Sequence, residues 1–373
     1  MIRTGPLVLL AVLGLAPSAW SQQTLIRTQA GALEVQTVAD GFEHPWSIVF
    51  LPDGDMLVTE RPGRLRRISP DGTTSPPLNG VPEVFAQGGG LLDLALDPDF
   101  ETTGLVYLSF AEPGDGGAST AVARGRLGEA GLGDVEVIFR QQPKVAHRNH
   151  FGGRLVFAPD GTLFVTLGER FQFDPAQNLS DHLGTIVRIN PDGSVPDDNP
   201  FVDRDGALPE IWSYGHRNLE AAAIHPDTGD LWVAEMGPKG GDELNRPEAG
   251  RNYGWPLVSW GNHYDGRRIP DPPTRPELAG SAYQWTPVIS PSGMVFYTGG
   301  EIAGWRGSML IGGLSGKAIV RVEIAADGSA AEAERLELGV RIRDVEEGPD
   351  GAVYALTDEA NGKILRFVPA DGG

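Results

Sequence analysis

The stretch Leu51-Pro-Asp-Gly-Asp-Met-Leu-Val-Thr-Glu60 reads as a tight turn followed by a short strand. Proline fixes φ, aspartate bonds its own backbone and glycine accepts a positive φ, so Pro-Asp-Gly sets the turn. The residues after it alternate between two faces, as on a half-buried strand. The unit returns at Asp97-Pro-Asp-Phe100 with Leu105-Val-Tyr-Leu-Ser-Phe110, at Ala158-Pro-Asp-Gly-Thr-Leu-Phe-Val-Thr-Leu167 and at His225-Pro-Asp-Thr-Gly-Asp-Leu-Trp-Val-Ala234. A degraded copy reads Pro291-Ser-Gly-Met-Val-Phe-Tyr297, and a last clear one Gly348-Pro-Asp-Gly-Ala-Val-Tyr-Ala-Leu356. Several copies lead into a second strand: Arg64–Ile68, Thr185–Ile189, Ala318–Ile324 and Lys363–Phe367. No long 3.6-residue period occurs. Repeats of this size, built from short antiparallel strands, predict an all-β chain folded as a six-bladed β-propeller. Leu33–Val38 is a spare N-terminal strand, placed to complete the blade formed by the C-terminus.

Composition agrees with this reading. Gly (51) and Pro (30) are abundant in the 373 residues without any glycine period, which excludes collagen and implies many turns. A net charge of −20 argues against nucleic acid or an anionic membrane as partner. With no cysteine, disulfides, thiolate metal sites and cysteine nucleophiles are excluded. Arg3, the apolar run Leu7–Leu15 and the small residues Ala19 and Ser21 read as a secretory signal over residues 1–21. Residues 22–373 then form one propeller domain, periplasmic or secreted and without a membrane span.

Between the repeats lie long loops, where function usually sits. Gln87-Gly-Gly-Gly-Leu-Leu92 lets backbone approach a ligand closely, and serves a plain turn as well. In Arg148-Asn-His-Phe-Gly-Gly-Arg154, His150 has the chemistry of a general base, or of a structural histidine bonded to backbone. Ser213-Tyr-Gly-His-Arg-Asn218 offers Arg217 and Asn218 as donors to an anion or carbonyl. Glu235-Met-Gly-Pro-Lys-Gly-Gly-Asp-Glu-Leu-Asn245 combines backbone carbonyls at Gly237 and Pro238 with carboxylates at Asp242 and Glu243, oxygen ligands of the kind Ca2+ prefers or simply a solvated acidic turn. Arg341 and Arg343 alternate, so both face one side and call for an anion, or for local carboxylates such as Asp344 or Glu346.

These stretches, in this order, resemble the soluble quinoprotein aldose and glucose dehydrogenases of the glucose/sorbosone dehydrogenase-like family, over roughly residues 35 to 369. His44-Pro-Trp-Ser47, Asn252-Tyr-Gly-Trp-Pro256 and Arg341-Ile-Arg-Asp344 extend the likeness, which is closer to the broad-specificity aldose branch. The resemblance implies a six-bladed propeller that binds pyrroloquinoline quinone (PQQ) and Ca2+. It implies His150 as the base on the sugar's anomeric hydroxyl, with Arg217 and Asn218 at the quinone oxygens and Arg217 also polarising the reacting carbonyl. Gln87, Asn149 and Trp285 would line the site, and Arg341 and Arg343 would pair with PQQ carboxylates. Gly237 and Pro238 would give oxygens to the catalytic Ca2+, and Glu243 and Tyr253 would hold a second, structural one. Two positions depart from the pattern. Asn149 stands where the glucose branch has Asp, and the family's cofactor-contacting Lys aligns with Ser315, with Lys317 two residues on.

The implied reaction oxidises an aldose to its lactone and passes electrons to a periplasmic acceptor such as a cytochrome. A Ca2+-dependent lactonase and a noncatalytic sugar-binding propeller are the alternatives. Three convergent arginines favour a polyanionic cofactor over either. The export reading predicts a mature chain beginning near Gln22. N-terminal sequencing of secreted protein checks it, and retention of Met1 would overturn it.

Overall fold

The computed structural model describes residues 24–370, so the expected signal over residues 1–21 lies outside the described residues. Two strands come first, β1 (Thr24–Thr28) and β2 (Gly31–Phe42). Blade one holds β3 (Pro45–Phe50), β4 (Met56–Glu60) and β5 (Arg64–Ile68). Blade two holds β6 (Leu91–Leu96), β7 (Leu105–Gly114), β8 (Gly117–Gly128) and β9 (Gly131–Arg140). Blade three holds β10 (Gly152–Phe157), β11 (Leu163–Leu167), β12 (Thr185–Ile189) and β13 (Ile211–Tyr214). Blade four holds β14 (Leu219–Ile224), β15 (Leu231–Glu235), β16 (Asp242–Asn245) and β17 (Tyr283–Trp285). Blade five holds β18 (Pro291–Phe296), β19 (Met309–Gly313), β20 (Ala318–Ile324) and β21 (Ala330–Glu337).

Blade six closes the ring. Its C-terminal strands β22 (Ile342–Glu347), β23 (Val353–Thr357) and β24 (Gly362–Pro369) are joined by β2 and then β1, in the order β1-β2-β24-β23-β22. The pairs Leu33↔Pro369 and Val35↔Phe367 put the spare N-terminal strand where the repeat required it. All six sheets are antiparallel, and adjacent blades bury a separate apolar cluster between them. The closing interface between blades six and one holds Phe42, Ile48, Met56, Val58 and Leu356, all 2% exposed or less. No helix among the described residues is long and apolar enough to cross a membrane.

The fifth repeat copy requires a correction. Pro291–Phe296 is not a turn and second strand but β18, the innermost strand of blade five. Pro291 therefore corresponds to Pro45 at the head of β3, and the Pro-Asp-Gly turn is replaced by the longer loop 297–308 before β19. The count of six survives because each sheet is intact.

Two regularities position the site. The Pro-Asp-Gly turns join first to second strands, so they lie on the face opposite the loops between blades. Every innermost strand also carries one extra residue near its head, slipping its register with the second strand: Pro45↔Glu60 becomes Ser47↔Thr59, and Ile342↔Thr357 becomes Asp344↔Leu356, with the same step in the other four blades. Such bulges re-aim side chains. Trp46, Asp93, Arg154, Glu220 and Arg343 all fall within them.

If ring closure rests on this last interface, Phe42→Ala should cost about 3–5 kcal/mol of unfolding free energy. Leu25→Ala on the exposed edge strand β1 should cost under about 0.5 kcal/mol. Denaturant unfolding of the two variants checks this, and equal losses would remove the closing role of Phe42.

Candidate active site

Where the innermost strands begin, the channel widens into a cavity of about 240 Å³. Blade one contributes Trp46 and Arg61, the loop into blade two Gly88 and Gly89, and the loop into blade three Arg148, Asn149 and His150. Blade four contributes Asn218 and Glu220, blade five Leu314, and blade six Arg341 and Arg343. Four guanidinium groups and one carboxylate thus line a pocket in a chain of net charge −20.

His150 sits with φ at +58°, two residues before β10. Its Nδ1 lies 2.5 Å from Glu169 Oε1, and the Glu169 side chain is fully buried. A carboxylate only accepts, so Nδ1 carries the proton and Nε2 keeps a free lone pair. Burial lowers the His150 pKa below its ordinary 6.5. The Glu169 hydrogen bond raises it in part and the Arg217 charge lowers it again. The ring is therefore a neutral imidazole with one open nitrogen, as a base must be. Glu169 was absent from the sequence reading, yet hairpin register points to it. β10 pairs Gly152 with Leu167, and two more steps along the same hairpin set His150 opposite Glu169. The backbone bond from Arg170 N to His150 O, at 3.2 Å, continues that alignment.

Arg341 and Arg343 do face one side, but their partners are neither Asp344 nor Glu346. Arg341 Nη2 and Arg343 Nη2 converge on Asp358 Oδ2 at 2.7 and 3.0 Å, and Arg343 Nη1 meets Glu220 Oε2 at 2.5 Å. Asp344 instead bonds Arg154 beneath the cavity at 2.9 Å. Asn218 lines the wall, donating to Glu220 Oε1 and accepting from Gly152 N.

Arg217 lies one layer away. Its Nη1 donates to the carbonyls of Met236 (2.8 Å) and Gly237 (2.9 Å), and its Nε is buried without a partner. The Gly237 oxygen read as a cation ligand thus already accepts from a guanidinium. Asp242 is a tie rather than a ligand, accepting from the backbone N–H groups of Gly237, Ile289 and Ser290, and burial pushes its pKa up to about 6. Beside it Glu243, Glu235 and Tyr253 line a second, small cavity. Burial and the Glu235 charge push the Glu243 pKa up to about 8, and its carboxylate has only a 3.4 Å bond from Asn245. An under-satisfied carboxylate of this kind fits a divalent cation. The Tyr253 hydroxyl is already engaged with Arg246 O at 2.7 Å, which leaves its backbone as the available oxygen. Among the described residues no three His, Asp or Glu side chains converge as a metal site by themselves.

Besides Arg217, three expected residues do not reach the cavity. Trp285 is on β17, the outermost strand of blade four, whereas the cavity is lined by the heads of innermost strands, the loops feeding them and turns after second strands such as those of Arg61 and Leu314. Its ring packs with Ile289, Met294 and Val320 while its N–H donates to Glu332 at 2.8 Å. Lys317 is exposed in the turn from β19 to β20, and Ser315 bonds the Ser290 hydroxyl, so neither lines the wall. Gln87 is exposed beside Gly88, which does.

The family model for glucose / sorbosone dehydrogenase matches residues 42–366. The chain is 44% identical to the aldose sugar dehydrogenase YliI of Escherichia coli K12, over 90% of this chain and 93% of that one. It superposes on the crystal structure of a glucose dehydrogenase with a TM-score of 0.86 at 48% identity, covering 90% of this chain and 99% of the other. The PQQ-bound aldose sugar dehydrogenase of Streptomyces coelicolor gives a TM-score of 0.74 at 29% identity, covering 90% and 98%. A match over most of the ring, with the bulged heads of the innermost strands inside it, makes this chain a member of the glucose/sorbosone dehydrogenase family.

Proposed function

We propose that this chain is an exported PQQ- and Ca2+-dependent aldose sugar dehydrogenase that oxidises the anomeric carbon of an aldose to a lactone. The observation that carries the reading is the His150–Glu169 pair opening into a cavity walled by four arginines. Arg341 and Arg343 suit the carboxylates of PQQ, and Asn218 its oxygens, since burying such an anion without cations is costly. Glu243, with backbone oxygen from Tyr253, suits a structural Ca2+, and the 237–238 turn would hold the other cation through Pro238 O and the lone pair that Gly237 O keeps beside its bond from Arg217. When bound, PQQ supplies the two-electron sink for the anomeric hydrogen, with Ca2+ polarising its carbonyl.

The chain's own part is position and proton transfer. His150 Nε2 takes the anomeric hydroxyl proton. Glu169 fixes the tautomer and stabilises the imidazolium that results. Arg217, held by two carbonyls one layer behind the cavity wall, adds positive charge on the side where negative charge develops. Electrons then leave for an external acceptor, such as a periplasmic cytochrome.

With aldose and an electron-accepting dye, turnover should appear only when PQQ and Ca2+ are both added to the secreted protein. His150→Ala should lower kcat by roughly 10²- to 10⁴-fold while PQQ still binds. Dye reduction without PQQ, or near-normal turnover in the variant, would sink the reading.

The Glu169 contact predicts a pH signature. The neutral imidazole is the working form and its pKa is lowered, so activity should survive below pH 6.5 and fall only as pH drops through the lowered value. Glu169 holds that pKa up in part, so Glu169→Gln should slow turnover and move the acid limb of kcat/KM to lower pH. A limb that stays put or moves upward would remove Glu169 from the base.

A further inference from the structure

Two of the cavity's arginines, Arg341 and Arg343, are not free. Arg341 donates to Asp358 Oδ2 from Nε at 3.0 Å and from Nη2 at 2.7 Å, and Arg343 Nη2 reaches the same oxygen at 3.0 Å. The other oxygen of Asp358 is 3.1 Å from His44 Nδ1. Asp358 is itself anchored, its N–H donating to Arg341 O at 2.9 Å, and its side chain is 4% exposed against 43% for Arg341. Burial alone would raise its pKa, but the Arg343 and Arg341 charges override this and hold it well below the usual carboxylate range, so it stays charged. Glu220 occupies the remaining end of Arg343 and also orients Asn218.

We propose that Asp358 and Glu220 are positioning residues, internal counter-anions that hold the Arg341–Arg343 pair toward the cavity and limit how tightly it takes a carboxylate-bearing anion. Two guanidinium groups side by side repel, and a part-exposed one such as Arg341 would turn to solvent if nothing held it. Asp358 removes that freedom before any ligand arrives, which is preorganisation. The same negative charge opposes the ligand's carboxylates at short range in a partly desolvated site. The inference rests on the quinone reading only for the identity of the occupant, because any polycarboxylate meets the same pair.

The test titrates citrate, and separately PQQ with Ca2+ present, into the secreted protein, following tryptophan fluorescence at low and moderate salt. Trp46 lies in the cavity wall and reports occupancy. Asp358→Asn keeps an oxygen that accepts from the arginines and removes one negative charge, and Glu220→Gln does the same at Arg343. Each should tighten citrate threefold or more and steepen its loss with salt. A carboxylate that served only folding would lower thermal stability and leave both readouts unmoved. Should Asp358→Asn not fold, Glu220→Gln decides alone. Unchanged or weakened citrate affinity in the folded variants overturns the proposal, as does a wild-type protein that binds neither anion. Citrate binding that follows the prediction with no PQQ binding would instead sink the quinone reading and leave the counter-anions standing.

Discussion

One guanidinium joins five of the six blades. Arg154, from blade three, bonds Asp93 of blade two at 3.0 Å and Asp344 of blade six at 2.9 Å. It donates to the blade four carbonyl of Glu220 at 2.7 Å and lies over the blade one ring of Trp46, 4.1 Å from its centroid. Both carboxylates are tied in turn, Asp93 to Leu155 N and Asp344 to Ile48 N. Buried ion pairs are a weak source of stability, because desolvation offsets the attraction, but they are specific in geometry. Here that specificity sets how the innermost strands converge. It also gives the cavity a floor, since Arg154 and its acids close the channel directly below Trp46, Glu220 and Arg343.

The site arises where six equivalent strands stop being equivalent. In every blade the innermost strand carries its extra residue at the same height, and there the side chains diverge: Trp46, Leu92 and Asp93, Arg154, Glu220, Gly293, and Arg343. Lower down, the fifth positions read Val49, Ala95, Val156, Ala223 and Val295, with Glu346 the lone charge. The repeat therefore specifies the ring, and the bulges supply six re-aimed positions that different residues turn into a wall. Chemistry and repeat signature lie on opposite faces for this reason. The Pro-Asp-Gly turns fix the strands from one end and leave the other to the long loops.

This geometry explains what was legible in the sequence. Six blades and the closing strand at Leu33–Val38 could be read because turn residues and strand alternation are local. His150, Asn149, Asn218, Arg341 and Arg343 could be located because each stands at the head of an innermost strand or in the loop feeding it. Trp285 misled because an aromatic near a loop says nothing of whether its strand is innermost or outermost. Pro291 misled because proline marks both turns and strand heads. Asp358 could have been found by extending the β22–β23 register one step past Ile342↔Thr357. Glu220, however, meets Arg343 across 123 residues and Arg154 meets the Arg343 carbonyl across 189, and no local pattern encodes such meetings. Glu169 lay between these cases, recoverable by extending a hairpin register that the sequence alone leaves one bulge out of step.

The base is held by strain as well as by a partner. His150, Arg170, Phe171 and Phe173 all have φ between +56° and +66°, a region that non-glycine residues rarely occupy and that costs on the order of 1–3 kcal/mol each. Such conformations persist only where surrounding contacts over-determine them. Arg170 provides much of that constraint. It is fully buried with its guanidinium 3.5 Å from the Phe151 ring centroid, and it donates to the carbonyls of Ala118, Asn149 and His147. Burial lowers its pKa to about 10, which still leaves it charged at neutral pH. One cation thus clamps the loop that ends at His150, while the adjacent residue, Glu169, bonds the imidazole itself. Because the clamp and the partner are consecutive in sequence, the loop cannot shift without moving the carboxylate that orients the base. The imidazole is set before substrate arrives, and the deep apolar interfaces between blades stabilise the ring enough to hold it there.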